Sequence, residues 1–507
     1  MIFNILNRKR KAPVVRNHEG EKAYAVTPQM ELYTLIVTWS LNDSFYEKNE
    51  ERLFRLRDLI AKNDPLFVAK LAIYARHKMY MRSVPLLLVT ELTKIHSGDN
   101  LISRLVPRVV SRADEITELL ACYQVINLRI GTKKLNRLSK QLQKGLSAAF
   151  NSFDEYQFAK YNRRTAVTLR DALFLVHPKA KDETQQSIFN KIAEETLNTP
   201  YTWETELSAL GQQAFETEAV KIEAFKAKWE ELIESGKLGY MALLRNLRNV
   251  LEAGVSYNYI LKACEVLSSD NQVTNAKQFP FRYLSAYREL MFTQTGYTGE
   301  VLGALEKAVQ ASAMNIKGFG AETRVLLGCD VSGSMQTPVS ARSKVMLYDV
   351  GLMLAMLLQN RCKNVVTGMF GDTWKVIPVP KNNILGNVQE FYRREGEVGY
   401  STNGYLVIQD ILDRKVRMDK IMLFTDCQLW NSYGSVHIEN LWKRYKAEVA
   451  PEAKLYLFDL KGYGTTPIKL EKNSVYMISG WSDKVFEVLD ALDKGGSAVL
   501  EIEKMEL

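Results

Sequence analysis

The chain has 507 residues, of which 46% are hydrophobic and 25% charged, the mixture of a soluble globular protein rather than a disordered or fibrous one. At roughly 100–200 residues per domain, that length calls for more than one folding unit. A formal net charge of +9 excludes an acidic solvating protein and admits polyanions as partners. The charge is unevenly placed: from Arg324 onward there are 23 basic and 22 acidic residues, so +8 of the +9 precedes it.

The N-terminus, Met1 to Lys11, has its basic residues after a short apolar stretch. A secretory signal has the opposite order, so residues 1–19 read as a basic tail. Five scattered cysteines without CxxC spacing argue against a disulfide scaffold or a zinc site and fit a reducing compartment. No apolar run is long enough to span a membrane; the longest candidate, around Val345–Leu358, is interrupted by Tyr348-Asp349 and reads as a buried helix. A cytoplasmic protein is expected.

Residues 20–320 read almost entirely as helices. Asp64-Pro65 is an N-cap with proline at the first helical position, and Phe67, Leu71 and Tyr74 then recur on one face. Further helices are expected from Ser83-Val84-Pro85, from a capping box at Ser111-Arg112-Ala113-Asp114, and over Leu135–Phe150, Ala166–Val176, Ala219–Ile233, Ala242–Leu251 and Phe281–Met291. Short amphipathic helices in succession bury their faces only by stacking, which predicts an α-solenoid.

The character changes near Gly318-Phe319-Gly320. Residues 321–507 alternate apolar strands (Arg324–Cys329, Val365–Phe370, Lys375–Val379, Ile421–Phe424, Leu455–Phe458) with helices (Lys344–Gln359, Tyr405–Asp413, Val436–Tyr445, Lys484–Leu492). That pattern predicts βαβ units and a parallel sheet covered on both faces. Ligands of such sheets collect at the strands' C-terminal ends, where Asp330 and Asp426 fall.

Asp330-Val331-Ser332-Gly333-Ser334 can turn one carboxylate and two hydroxyls into a single cavity, the oxygen donors a hard cation such as Mg2+ takes. Thr402 and Asp426 supply further oxygens from neighbouring loops. Together the five resemble the metal-ion-dependent adhesion site of von Willebrand factor A domains. A structural alternative has Ser332 and Ser334 capping the next helix and Asp330 in a turn. A phosphotransferase with Asp330 as nucleophile needs a second acid two residues on, where Ser332 stands. No Ser-His-Asp order, P-loop or H-E-x-x-H is present, and the five histidines are dispersed. A non-enzymatic protein is expected.

A helical array followed by an A domain resembles the TROVE family of Ro-type ribonucleoprotein autoantigens. The likeness is carried by Tyr156–Arg164 (YQFAKYNRR), Leu169–Leu173 with Val176-His177-Pro178-Lys179, Met241–Arg248 (MALLRNLR) and Phe279-Pro280-Phe281-Arg282. It implies HEAT-like helices closed into a ring beside a Rossmann-like α/β A domain. It also implies binding of small noncoding (Y-like) RNA outside the ring and of single-stranded RNA 3′ ends in its hole, by a monomer that serves RNA quality control. Carried over by residue, the implied RNA contacts are Lys160, Arg164 and His177. The first two are spaced i, i+4 on one face if that segment is helical, and are suited to phosphates. The resemblance further implies an A-domain partner, such as an exoribonuclease. The threonine loop departs from the family pattern, with Tyr400-Ser401 where glycines are common. A second reading is a scaffold whose A domain captures an acidic partner residue through the cation, with no RNA.

Overall fold

The computed structural model describes residues 13–39, 49–127, 138–314, 316, 319–320, 322–340, 343–431, 434, 436–470, 474–493 and 496–507. Packing divides the chain into two units. One consists of the described residues of Met1–Leu59, Ile316–Trp481 and Val485–Ala498; the other takes Ile60–Asn315, Ser482–Lys484 and Val499–Leu507.

The second unit is built of helices whose neighbours in sequence are neighbours in space. Pro65–His77 packs on Ser83–Ile95 and on Leu101–Val109, Ser83–Ile95 on Asp114–Ile126, and Tyr257–Ser268 on Thr298–Ser312. Asp64 caps its helix as expected, accepting from the Leu66 N–H at 3.0 Å. The capping box expected at Ser111–Asp114 is replaced. The carboxylate of Glu115, fully buried, takes the N–H groups of Ser111 (2.8 Å) and Arg112 (3.1 Å) and pairs bidentately with Arg76 at 2.8 and 2.9 Å. The helix expected over Leu135–Phe150 is seen as Lys140–Phe150; residues 135–137 lie outside the described residues.

The first unit is centred on a six-stranded sheet. Its strands are β3 (Arg324–Asp330), β4 (Asn364–Phe370), β5 (Trp374–Val376), β6 (Lys420–Thr425), β7 (Lys454–Asp459) and β9 (Val475–Ser479), in the order β5-β4-β3-β6-β7-β9. All neighbours are parallel except β5, which is antiparallel to β4. The helix Leu347–Arg361 is buried all round through Gln359 and packs on β3 and β6. Leu326, Val407, Leu423 and Trp442 form part of the core.

Sequence patterning missed β9 and the helix Ile384–Arg394. It also missed a three-stranded sheet of β1 (Val14–Arg16), β2 (Lys22–Ala25) and β8 (Thr465–Thr466), antiparallel throughout. Residues 13–39 and 49–59 therefore do not divide into a tail and the start of the helical array. Those described pack with the sheet unit, because β2 completes its hydrogen bonding on β8 and Tyr33 on the following helix donates its hydroxyl to the Ser479 carbonyl at 2.9 Å. Residues 1–12 of the expected tail lie outside the described residues.

Helices Leu101–Val109 and Lys140–Phe150 cross closely at Gly145, where a Cβ would lie 2.6 Å from Val106 Cβ and 3.2 Å from the Ser103 carbonyl. Alanine would improve helix propensity by about 1 kcal/mol, but overpacking costs about 1–3 kcal/mol. Gly145→Ala is thus expected to lower stability by about 1 kcal/mol in urea denaturation; a gain would show that the crossing yields freely.

Candidate functional site

With β5 set aside, the parallel strands run β4-β3-β6-β7-β9, so the order reverses between β3 and β6. Such a switch point opens a crevice at the strands' carboxyl ends. The register pairs Cys329 with Phe424, which brings Asp330 beside Thr425 and next to Asp426. The Thr425 hydroxyl donates to Asp330 Oδ2 at 2.6 Å, and the Ser332 N–H donates to Oδ1 at 2.9 Å. A tight turn over Gly333–Gln336 leaves the Ser332 and Ser334 hydroxyl oxygens 3.3 Å apart. They face each other rather than capping a helix.

The threonine loop reaches the site through Tyr400 and Ser401. The Gly333 N–H donates to the Tyr400 carbonyl at 3.0 Å, and the Ser401 N–H donates to Asp372 Oδ1 at 2.9 Å. A Cβ on Gly371 would lie 2.0 Å from the Gly399 carbonyl, so that close approach requires glycine. Thr402 is 4% exposed, and its Oγ1 has no hydrogen-bond partner among the described residues. Asp330, Ser332, Ser334 and Asp426 are each at most 2% exposed. The Gln428 N–H donates to Asp426 Oδ1 at 3.0 Å.

Burial, and then the charge of Asp426, pushes the Asp330 carboxyl above the usual carboxylate range, against hydrogen bonds from Ser332 and Thr425. At the end of β7, burial raises Asp459 to about 6, opposed by the N–H groups of Gly462 and Lys461. Burial also raises the Cys427 thiol, which keeps it from acting as a thiolate. A buried hydroxyl without a partner is costly, and like carboxylates in low dielectric disfavour joint ionisation. A hard divalent cation relieves both. The donors are oxygens, two of them carboxylates, and among the described residues no group of three or more His, Cys, Asp or Glu forms an alternative cage. The residues fit a Mg2+-like ion that keeps water or takes an outside oxygen.

The basic candidates lie in the helical unit. Asp154 and Gln157 form a capping box that starts the helix Glu155–Tyr161. Lys160 is exposed on it, its ammonium 5.7 Å from the ring centroids of Tyr156 and Tyr161. The helix stops at Tyr161 because Asn162 turns to extended backbone, with φ −72° and ψ 96°. Arg164 therefore stands in the loop before Thr168 caps the next helix, and does not share a helical face with Lys160. His177 ends the helix Leu169–Val176 in the left-handed conformation (φ 48°), its N–H donating to the Leu173 carbonyl at 2.9 Å and its ring exposed. No bond joins it to Lys160 or Arg164 among the described residues.

Two residues that the sequence reading did not single out belong to the same patch. Tyr161 and Arg163 line both a cleft of about 360 Å³ with Arg82 and Thr165 and one of about 530 Å³ with Asn198 and Thr199. The Arg112 guanidinium lies 4.3 Å from the Tyr161 ring centroid. The signal was present in Lys160-Tyr161-Asn162-Arg163-Arg164, where an aromatic ring sits among cations. Among the described residues Lys160, Arg163 and Arg164 make no ion pair, whereas Arg248 in the second hallmark helix is taken by Glu289 and by Glu252 at 3.6 Å.

A family model described as the TROVE domain matches residues 29–199 and 196–295, more than half of the chain. The chain belongs to the TROVE family. A second model, the Ro60 vWA domain, matches residues 324–492. The crystal structure of the Deinococcus radiodurans Ro (Rsr) protein aligns over 91% of this chain and 98% of that one, with a TM-score of 0.58 at 17% identity, a likeness of fold. Telomerase protein component 1 of Mus musculus is 24% identical over 369 residues, 55% of this chain and 14% of that protein. Its counterpart in Rattus norvegicus is 40% identical over 94 residues, 18% of this chain and 3% of that protein. The chain thus spans a small part of the length of these curated relatives. This TROVE chain carries the A-domain residues Asp330, Ser332, Ser334, Thr402 and Asp426 inside the span matched by the Ro60 vWA domain.

Because the folded-state pKa of Asp330 is raised, its contribution without a cation is full below the unfolded value and is lost as pH rises through the raised one. A cation binds the deprotonated form. A Mg2+ concentration 100 times its dissociation constant at pH 8 is expected to stabilise the chain by about 2.7 kcal/mol there, and the same concentration by less at pH 5, in thermal unfolding. Thr402→Val should keep the cation-free melting temperature and shrink the Mg2+ increment. An increment equal at both pH values would remove the carboxylates from the binding.

Proposed function

We propose that this TROVE-family chain is a non-enzymatic, cytoplasmic RNA-binding protein of Ro type. In this reading it holds small noncoding (Y-like) RNA and captures single-stranded 3′ ends of misfolded or processed RNA. The observation that carries it is the run Lys160–Arg164, whose exposed cations make no ion pair among the described residues and flank two clefts that share the half-buried Tyr161. Phosphates neutralise such cations whatever the base sequence, and an aromatic ring at a cleft edge offers a stacking face for an unpaired base. The loop placement of Arg164 suits single strands, since a loop side chain can follow an irregular backbone. The ring of His177 adds a hydrogen-bonding or stacking group. Family membership and the +8 charge ahead of Arg324 support the same reading.

The A domain supports a second role beside the first. Asp330, Ser332, Ser334, Thr402 and Asp426 would hold Mg2+, whose remaining positions would accept a carboxylate from a protein partner such as an exoribonuclease. The lone Thr402 hydroxyl favours this role.

Lys160→Ala with Arg164→Glu is expected to weaken binding of a duplex bearing a single-stranded 3′ tail by at least tenfold with the melting temperature unchanged. The slope of log affinity against log salt should flatten by about 0.7 for each single-strand phosphate that the variant no longer neutralises. Arg163→Ala should weaken binding of the tail more than of the duplex. Affinity insensitive to all three substitutions and to salt would rule the RNA reading out.

A further inference from the structure

Of the two clefts beside Tyr161, the smaller has an acidic wall that the larger lacks. The helix Asp114–Ile126 presents Asp114, Thr117, Glu118 and Ala121 to it, at i, i+3, i+4 and i+7 and so on a single helical face. Tyr161 and Arg163 line it from the end of the helix Glu155–Tyr161 and the loop that follows, and the buried Phe158 adds apolar surface. Its volume of about 360 Å³ falls in the range of small-ligand pockets, roughly 300–1,000 Å³. All of these residues belong to the helical unit.

Both carboxylates of the acidic wall are held in place. One terminal nitrogen of Arg82 donates to Asp114 Oδ2 at 2.6 Å and to Glu118 Oε2 at 3.0 Å. Arg112 donates to both Asp114 oxygens, at 3.1 and 2.9 Å, and the Ser83 hydroxyl donates to Glu118 Oε1. Among the described residues Asp114 thus accepts three bonds and Glu118 two, one on each oxygen. A carboxylate has about four acceptor positions, so each Glu118 oxygen keeps one. The Glu118 side chain is 32% exposed against 12% for Asp114, which makes Glu118 the carboxylate that a ligand reaches. The Arg112 guanidinium that holds Asp114 also lies 4.3 Å from the Tyr161 ring centroid, and so ties the aromatic ring to the acidic wall.

We propose that this cleft takes one unpaired guanine of a single-stranded RNA and that Glu118 selects it. Guanine presents two adjacent donors, N1–H and the N2 amino group, which match the two open positions on the Glu118 carboxylate. Adenine and cytosine set an acceptor nitrogen beside their amino group, and uracil flanks its N–H with two carbonyls. Each of those three bases turns a lone pair toward the carboxylate. A site that accepts from a donor rejects the analogue without it, because its own polar group is left unpaired. Tyr161 and Phe158 offer surface to the faces of the base, and Arg163 is left for guanine O6 or the adjoining phosphate. The proposal rests on the reading of Lys160–Arg164 as an RNA-binding run. To phosphate contacts, which carry no sequence information, it adds one position at which sequence is read.

The test uses the full chain and a duplex with a 3′ tail of uridines, in which a single guanosine is placed at each position in turn, with binding followed by fluorescence anisotropy. At one tail position guanosine is expected to bind about tenfold more tightly than uridine, the size of a bidentate base contact. Inosine, which lacks only the N2 amino group, should lose most of that gain on the wild-type chain, and adenosine and cytidine should show none of it. In Glu118→Gln, with one acceptor and one donor in place of two acceptors, the ratio of guanosine to uridine affinity should fall to near one. The partly exposed Arg82–Glu118 pair contributes little to stability, and the melting temperature of the variant checks that the fold survives. The inosine comparison decides the matter without any variant. A guanosine that gains at no position, a gain shared by adenosine or cytidine, or a gain kept in full by inosine or by Glu118→Gln overturns the guanine pocket, while salt-dependent binding of the tail leaves the RNA reading standing. Tails that do not bind, or that bind without salt dependence, overturn the RNA reading and the pocket together.

Discussion

The parallel pairing of β3 with β6 is the constraint on which the A-domain site depends. Register is fixed because both strands are buried on both faces, and a slip of one residue would turn every side chain over. In the register observed, Asp330 and Thr425 end side by side, and the strand order reverses at that point. Asp330, Ser332, Ser334 and Thr425 therefore meet at the carboxyl ends of the strands, one residue from Asp426. Burying the carboxylates works against folding, visible in the raised pKa of Asp330. Sites at which charge is held at such a cost are where ligands are expected.

The chain closes over this edge with a segment four hundred residues away. β2 adds to β8, Asn17 and His18 bond to Leu429 and Gln428, and the hydroxyl of Tyr24 bonds to Glu439. Arg52, fully buried, donates to the Lys461 carbonyl at 3.0 Å. These bonds make the N-terminal residues part of the sheet unit. They also bring main-chain and side-chain groups to the rim of a site that residues 324–492 would otherwise form alone. A family boundary drawn along the sequence does not show this.

The helical unit uses different physics. Its cations are distributed along loops and helix ends, and many on helical faces are matched by acids, as Arg248 is by Glu289. The run from Lys160 to Arg164 differs because the helix breaks at Asn162. Side chains that a continuous helix would have spaced on one face are instead spread around two clefts with Tyr161 between them.

Sequence alone determined the succession of helices and the alternation of strands and helices after residue 320, and it named five candidate oxygen donors, since each reading depends on local periodicity or on short spacing. Asp64 as a cap and Leu347–Arg361 as a buried helix followed from the same rules. Tertiary structure decided what depends on distant partners. β9 and the β1–β2 hairpin become strands through their neighbours: Val475–Ser479 lies along β7, and Lys22–Ala25 lies between β1 and Thr465–Thr466. The capping box read at Ser111 yielded to Glu115 because Arg76, 39 residues away, holds that carboxylate in place. The break at Asn162, which moved Arg164 off the helix, leaves no mark in periodicity over so short a segment. His18 bonded to Gln428 is the extreme case: no local rule connects residues so far apart, and only the folded sheet makes them neighbours.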